Sequence, residues 1–412
     1  MAGTSDEIVI HAGRLLAEPG QPPKSRQSVR IAGGKIVSVA DGFIDPPPGA
    51  RLIDLKDRFV LPGLIDCHVH LTGQLGPGQR LRFVEDSDPK VGLDGAWRAG
   101  LTLKAGFTTV RDLGARKPEI IYALREAVAE GKVAGPRILC VGAILSPTGG
   151  HGQTYGFRQD VCACVQSSIG VCDGVDACRK AVRAQVAQGA DAIKFAATGG
   201  VLSNIRAGVD QQFTTEELTS IIETAHRLGR RVSAHAHGTA GINAALAAGV
   251  DSIEHGSFLD DASIDLFLKH RAFHTPTLIA GATVLGMAQG GTVLTPAQAE
   301  KALVVGDAIK GALARTYKAG VPIAFGTDMG VGAHGQNARE FALMVEAGVS
   351  PADAIKEATI GSAELLDIPD LVGTIAAGKS ADIIAVAADP LADVTELERV
   401  RFVMARGEVA KA

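Results

Sequence analysis

The feature that most limits the fold of this chain is an alternation. From Arg58 onward, short apolar runs are separated by stretches with helical periodicity, and the polar residues gather at the ends of the runs. Residues 60–66, 108–112, 137–144, 192–196, 232–237, 252–255, 273–278 and 322–328 read as strands. Residues 119–129, 177–188, 215–228 and 300–319 read as amphipathic helices between them. Eight strands alternating with helices predict an α/β fold, a (β/α)8 TIM barrel in preference to an open sheet. Thr214-Thr215-Glu216-Glu217 has the pattern of a capped helix start.

The length, 412 residues, suits such a barrel plus a smaller unit. Apolar residues make up 46% and aromatics 4%, which fits parallel strands buried on both faces by helices. Residues 7–57 are broken into short strands by Gly, Pro and Asp, and strand texture returns at 380–386 and 401–405. Neither end can make a core alone. The expected organisation is a composite β-sandwich domain from residues 1–57 and 368–412, with the barrel over 58–367.

A net charge of −4 and the lack of a long basic run argue against a nucleic-acid partner. No apolar run reaches the ~18 residues of a membrane helix, so no membrane partner is expected. The start, Met1-Ala-Gly-Thr-Ser-Asp-Glu7, lacks the basic and apolar regions of a signal peptide. A cytoplasmic location is expected as the sequence stands, and a periplasmic or secreted one if a leader has been removed. Cys67 and Cys140 read as core residues. Cys162, Cys164, Cys172 and Cys178 follow a C-x-C-x7-C-x5-C spacing, which is open to free thiols, a disulfide or a structural metal.

The chemistry is carried by the strand ends, where barrel enzymes keep their active sites. His68 and His70 lie two apart and so project from one face of a strand, a spacing at which two imidazoles can share a metal. Lys194 falls inside Asp191-Ala-Ile-Lys-Phe-Ala-Ala197. Burial favours its neutral amine, which can take up CO2 and become an anionic carbamate able to bridge two metals. His235 and His237 share a face at the end of the fifth run; one can bind metal and the other substrate, and spacing leaves open which does what. His255 ends the sixth run, beside Glu254, whose side chain is expected to pair structurally on the opposite face. Asp328 ends the eighth, in Gly326-Thr-Asp328, a place for a metal ligand that also accepts a proton. Four histidines, one lysine and one aspartate suit zinc or another first-row divalent metal.

These residues carry a resemblance. Pro62-Gly-Leu-Ile-Asp-Cys-His-Val-His70, Lys194, His235, His255 and Gly326-Thr-Asp328 resemble the amidohydrolase superfamily in its two-metal form with a carboxylated lysine, and the resemblance covers essentially the whole chain. Thr148-Gly-Gly-His151, Lys194-Phe-Ala-Ala-Thr-Gly-Gly-Val201, His235-Ala-His-Gly238 and Ile253-Glu-His-Gly256 are similar to the branch of imidazolonepropionase-related dipeptidases. That branch cleaves Xaa-Pro and other dipeptides and N-acyl amino acids, and it includes amidases that split ochratoxin into its phenylalanine and acid halves.

The resemblance implies two divalent metals, zinc foremost, sharing a hydroxide and held by His68, His70, Lys194, His235, His255 and Asp328. It assigns His235 to metal and places His151, His237 and His274 toward substrate. Asp328 is the expected base, and His151 or His237 the donor to the developing oxyanion. Tyr155 could bond a substrate carboxylate, Val201 follows a Gly pair that lets backbone approach substrate, and the loop 334–337 is a candidate lid. The expected partner is a small-molecule dipeptide or N-acyl amino acid, and the expected assembly a homo-oligomer, tetramer or octamer. The alternatives are hydrolysis of a cyclic amide or imidazolone on the same scaffold, and a non-catalytic binding homologue.

Overall fold

The computed structural model describes residues 7–412 apart from 155, 166–169, 204–207 and 292. Strands from both chain ends join one seven-stranded mixed sheet: β1 (Ile8–Leu15), β2 (Lys24–Ala32), β3 (Lys35–Asp41) and β4 (Arg51–Pro62). Its core, including Ile10, Val29, Ile383 and Met404, is fully buried. The chain leaves this sheet at Gly63. A Cβ there would overlap the Thr108 side chain, so only glycine lets the next strand approach. The expected first barrel strand, 60–66, therefore begins later: residues 60–62 belong to β4, and β5 is Leu64–Val69.

The strands that follow are β6 (Phe107–Asp112), β7 (Arg137–Cys140), β8 (Ile193–Ala196), β9 (Val232–Ala236), β10 (Ser252–His255) and β11 (Phe273–Thr275). The seven-stranded sheet is completed by β12 (Ile383–Val386), β13 (Phe402–Ala405) and β14 (Glu408–Lys411), in the order β14-β13-β12-β4-β1-β2-β3. Two parallel sheets lie between the chain ends, β5-β6-β7 and β11-β10-β9-β8. Strands β5, β6, β8, β9 and β10 are buried at every position, as expected for strands covered on both faces.

Isolated bridges extend the outer strands of the two parallel sheets. Leu145, beyond β7, bridges Phe195 of β8. The run 322–328, expected as a strand, carries isolated bridges in place of a continuous ladder, with a hydrogen bond to a neighbour on each side. His274 N–H donates to Pro322 O at 2.8 Å on one side, and Cys67 N–H to Phe325 O at 2.8 Å on the other. The run 273–278 stops as a strand at Thr275, because Leu278 opens the helix Leu278–Gly290. The Thr214 cap forms as read: its hydroxyl accepts from Glu217 N–H, and the Glu217 carboxylate accepts from Thr214 N–H. No helix among the described residues is long and apolar enough to cross a membrane. All six cysteines are unbonded; Cys172 and Cys178 bring their sulfurs to 3.6 Å.

Candidate metal centre

Strand β5 carries His68 and His70 to one side, and the segment after Phe325 brings Asp328 between them. The Asp328 Oδ1 lies 3.4 Å from His68 Nε2 and 3.2 Å from His70 Nε2. Each imidazole is oriented from behind. His68 Nδ1 faces Glu254 Oε2 at 2.8 Å, and His70 Nδ1 faces the Gly114 carbonyl at 2.9 Å. A proton on each Nδ1 leaves both Nε2 lone pairs turned inward, the tautomer a metal ligand needs. Asp328 Oδ1 and these two Nε2 atoms form one group able to hold an ion.

The second group is His235, His237 and His255, from the ends of β9 and β10. The His235 and His237 ring centroids are 4.8 Å apart, as are those of His235 and His255. Thr277 Oγ1 lies 2.7 Å from His255 Nδ1, and Ser257 Oγ lies 2.8 Å from His237 Nδ1. His255 and Asp328 both adopt left-handed backbone angles, φ 72° and 57°. Such angles are unfavourable for residues other than glycine and are held where a site requires them.

Lys194 enters from β8 and is 2% exposed. Its Nζ and the His235 Nε2 are buried with no hydrogen-bond partner among the described residues. An orphaned buried amine and imidazole cost about 1–3 kcal/mol each unless something else satisfies them. Burial pulls Lys194 down to about 8, against the upward pull of Glu254 and Asp328. Burial also drives His68 to about 4 and His237 to about 3, and lowers His235 and His255, keeping these rings neutral. Asp328 is pushed up by burial, but its interactions with His68 and His70 outweigh this and hold it below the usual carboxylate value. Burial also pulls His70 down, but the Asp328 hydrogen bond and charge outweigh it and raise His70 to about 9, so His70 and Lys194 would each give up a proton to act as ligands. Four neutral imidazoles and an ionised carboxylate already fit the donor set for divalent metals.

His151 comes in from the loop after β7, its ring stacked on His235 at 4.1 Å and its Nδ1 2.6 Å from Ser203 Oγ. With His237 and Val201, it lines the same cavity of about 260 Å³ as the histidine groups, Lys194 and Asp328. The structure does not bring His274 there. Its ring is fully buried, with Nδ1 2.9 Å from Thr316 Oγ1 and Nε2 3.1 Å from the His255 carbonyl, so it braces the backbone of His255 instead of facing substrate. The 334–337 loop is an anchor and not a lid: Asn337 is fully buried and donates to Asp66 Oδ2 at 2.7 Å, and His334 sits 3.1 Å from the Gly73 carbonyl. Tyr155 lies outside the described residues.

Three residues matter more than the sequence reading allowed. Glu254 does point away from His255, yet it reaches under His68, where it is also bound by Arg111 at 3.0 Å, Ser233 at 2.6 Å and Ser252 at 2.7 Å. Arg111 further donates to the Cys67 carbonyl at 2.7 Å. Asp66 accepts from Thr327 Oγ1 at 2.6 Å and from the His68 and Thr327 N–H groups, which pins the Asp328 segment to β5. The available signal was the same for all three: a charged residue inside an otherwise apolar strand.

Residues 59–410 match the family pattern described as the amidohydrolase family. The ochratoxinase of Aspergillus niger is 32% identical over 431 residues, covering 96% of this chain and 84% of that protein. A solved Xaa-Pro dipeptidase with methionine bound in its active site is 37% identical, with TM-score 0.93 over 98% of this chain and all of that one. A prolidase solved with N-methylphosphonate-L-proline is 31% identical, with TM-score 0.88 over 98% of this chain and 99% of that one.

Proposed function

The chain belongs to the amidohydrolase family and is a hydrolase of amide C–N bonds; from that premise we propose that it removes the C-terminal residue from dipeptides or N-acyl amino acids. The observation that carries this reading is the pair of converging donor groups with a buried, unpartnered Lys194 between β8 and the histidines. Similarity to a dipeptidase holding an amino acid, and to a protein named for ochratoxin, supports a substrate with an amino-acid half.

In this reading His68, His70 and Asp328 would hold one divalent metal and His235 and His255 a second, with Lys194, once carboxylated, as a further ligand. Zinc suits the nitrogen-rich set. Such metals, when bound, make water acidic enough to ionise near neutral pH and polarise an amide carbonyl. Asp328 accepts the proton of the attacking water at its carboxylate and returns it to the leaving amine. His237 and His151, on the cavity wall, donate toward the oxygen that becomes negative. Glu254 and Arg111 hold His68 in place from behind.

The same reading extends to the fold. The two parallel sheets and the 322–329 segment form one (β/α)8 barrel. Supporting this are the Leu145–Phe195 bridge on one side and, on the other, the bridges of Ile323 to His274 and of Met329 to Val69. The two chain ends, with β4 carrying the N-terminal part on to Pro62, form the composite β-sandwich domain. A homo-oligomer, tetramer or octamer, is the proposed assembly.

The test is a substrate panel. Zinc-loaded protein is assayed with N-acyl amino acids and dipeptides against hydantoins and imidazolones. The expected result is turnover of the first set with release of a free amino acid. Turnover of the cyclic set alone would replace this function with the cyclic-amide one.

A further inference from the structure

The cavity over the metal centre continues into a second, outer chamber of about 620 Å³. Of the residues at the centre, the outer chamber touches His70, Asp328 and His151, whereas His68, Lys194, His235, His237 and His255 line only the inner chamber. In the amidase reading above, Asp328 would deliver its proton to the leaving amine at this opening, and the outer chamber would receive the amine half of a substrate.

Arg116 stands where the chambers join and lines both. Of the other cations of the outer chamber, Arg82 is exposed and lines only this chamber, away from the junction, and the remaining two are engaged. Lys117 is 2.6 Å from Asp88, and Arg98 donates to the Leu71 carbonyl at 3.2 Å with Asp94 at 3.8 Å. Arg116 donates once, to Thr154 Oγ1 at 3.2 Å, and has no carboxylate partner among the described residues. Its guanidinium carbon lies 3.0 Å from the centre of the Phe83 ring. Stacking on an aromatic face holds the fork in one plane. The side chain is exposed at the chamber mouth, and the desolvation it meets there lowers its pKa but leaves it charged at neutral pH. A planar guanidinium has five N–H donors, and the single bond to Thr154 leaves the others available at the chamber wall.

Resting on the amidase reading above, we propose that Arg116, held flat by Phe83, binds the free carboxylate of the amine-side half of the substrate. The carboxylate of an amino-acid leaving group is one carbon from the nitrogen that Asp328 protonates, so the chamber that receives the amine also receives the charge. Arg116 is then the residue that makes the enzyme an amino-acid-releasing one and not a general amidase.

The experiment uses zinc-loaded wild type, Arg116→Met and Arg116→Lys. Two substrates differing only in the carboxylate are compared, N-acetyl-L-phenylalanine and N-acetyl-2-phenylethylamine. Calorimetry in parallel measures binding of L-phenylalanine and of 2-phenylethylamine. For Arg116→Met, the acid-over-neutral preference in kcat/KM falls about 10- to 100-fold, the size of a lost charge-assisted hydrogen bond, and the loss is in KM more than kcat. L-phenylalanine binding weakens by a similar factor, 2-phenylethylamine binding does not, and Arg116→Lys retains part of the preference. Equal losses on both substrates and both ligands would overturn the assignment, as would no loss at all. If wild type cleaves neither substrate, the amidase reading fails separately, and the two binding arms still decide what Arg116 recognises.

Discussion

At the scale of single residues, the account depends on Asp328 and Lys194. Asp328 lies within 3.4 Å of both His68 and His70, so Asp328→Asn keeps the shape of the group while removing the proton acceptor. Turnover is expected to fall by about 10²- to 10⁴-fold with KM changed far less, the mark of a group acting in the transition state. Steady-state kinetics read this, and near-normal kcat would remove Asp328 from the base role. Lys194 gives a pH dependence with a definite sign. Only the neutral amine takes up CO2, and burial holds this amine down to about 8 in the metal-free protein. The reactive fraction therefore rises as pH rises through 8. Reactivation of metal-free protein by zinc at fixed dissolved CO2 should be roughly 25-fold faster at pH 8.5 than at 6.5. A rate that does not change between them would contradict carboxylation.

At the scale of elements, the ligand candidates were legible because each ends an apolar run, and a polar residue there has few other uses. What could not be read was the partner supplied by a strand of the other sheet. Glu254 faces away from His255 as its alternation requires, but that it meets His68 depends on how β10 and β5 come together, which no local pattern encodes. His274 was misplaced for the same reason: its ring reaches Thr316 of the helix Pro296–Ala319, a contact 42 residues distant. The end of β4 was taken for the first barrel strand because Val60–Pro62 is apolar in both settings. The Gly199-Gly200 turn after β8 shows a finer dependence. A Cβ on Gly200 would overlap the His151 ring, so this glycine makes room for a side chain and not for substrate alone. Gly200→Ala should displace His151 and lower kcat about 10- to 100-fold, with an unchanged melting profile. Unaltered kcat would exclude His151 as a donor to the oxyanion.

At the scale of the whole molecule, the two donor groups come from different sheets. His68 and His70 belong to the three-stranded parallel sheet and the segment beside it, and His235 and His255 to the four-stranded one. Lys194, on the edge strand β8, stands nearest the junction made through Leu145. Two metals bridged at Lys194 would tie these halves together around the reaction, which is why binding and activity should be acquired jointly. The alternation of strands and helices announced this layout early. The metals' number rested on one lysine whose depth only the structure gives. The most direct measurement is a titration of chelator-stripped protein with zinc in bicarbonate buffer, following hydrolysis of N-acetyl-L-phenylalanine. The account predicts that activity climbs and reaches its plateau at two zinc ions per chain; a plateau at one, or full activity in the stripped protein, would contradict it.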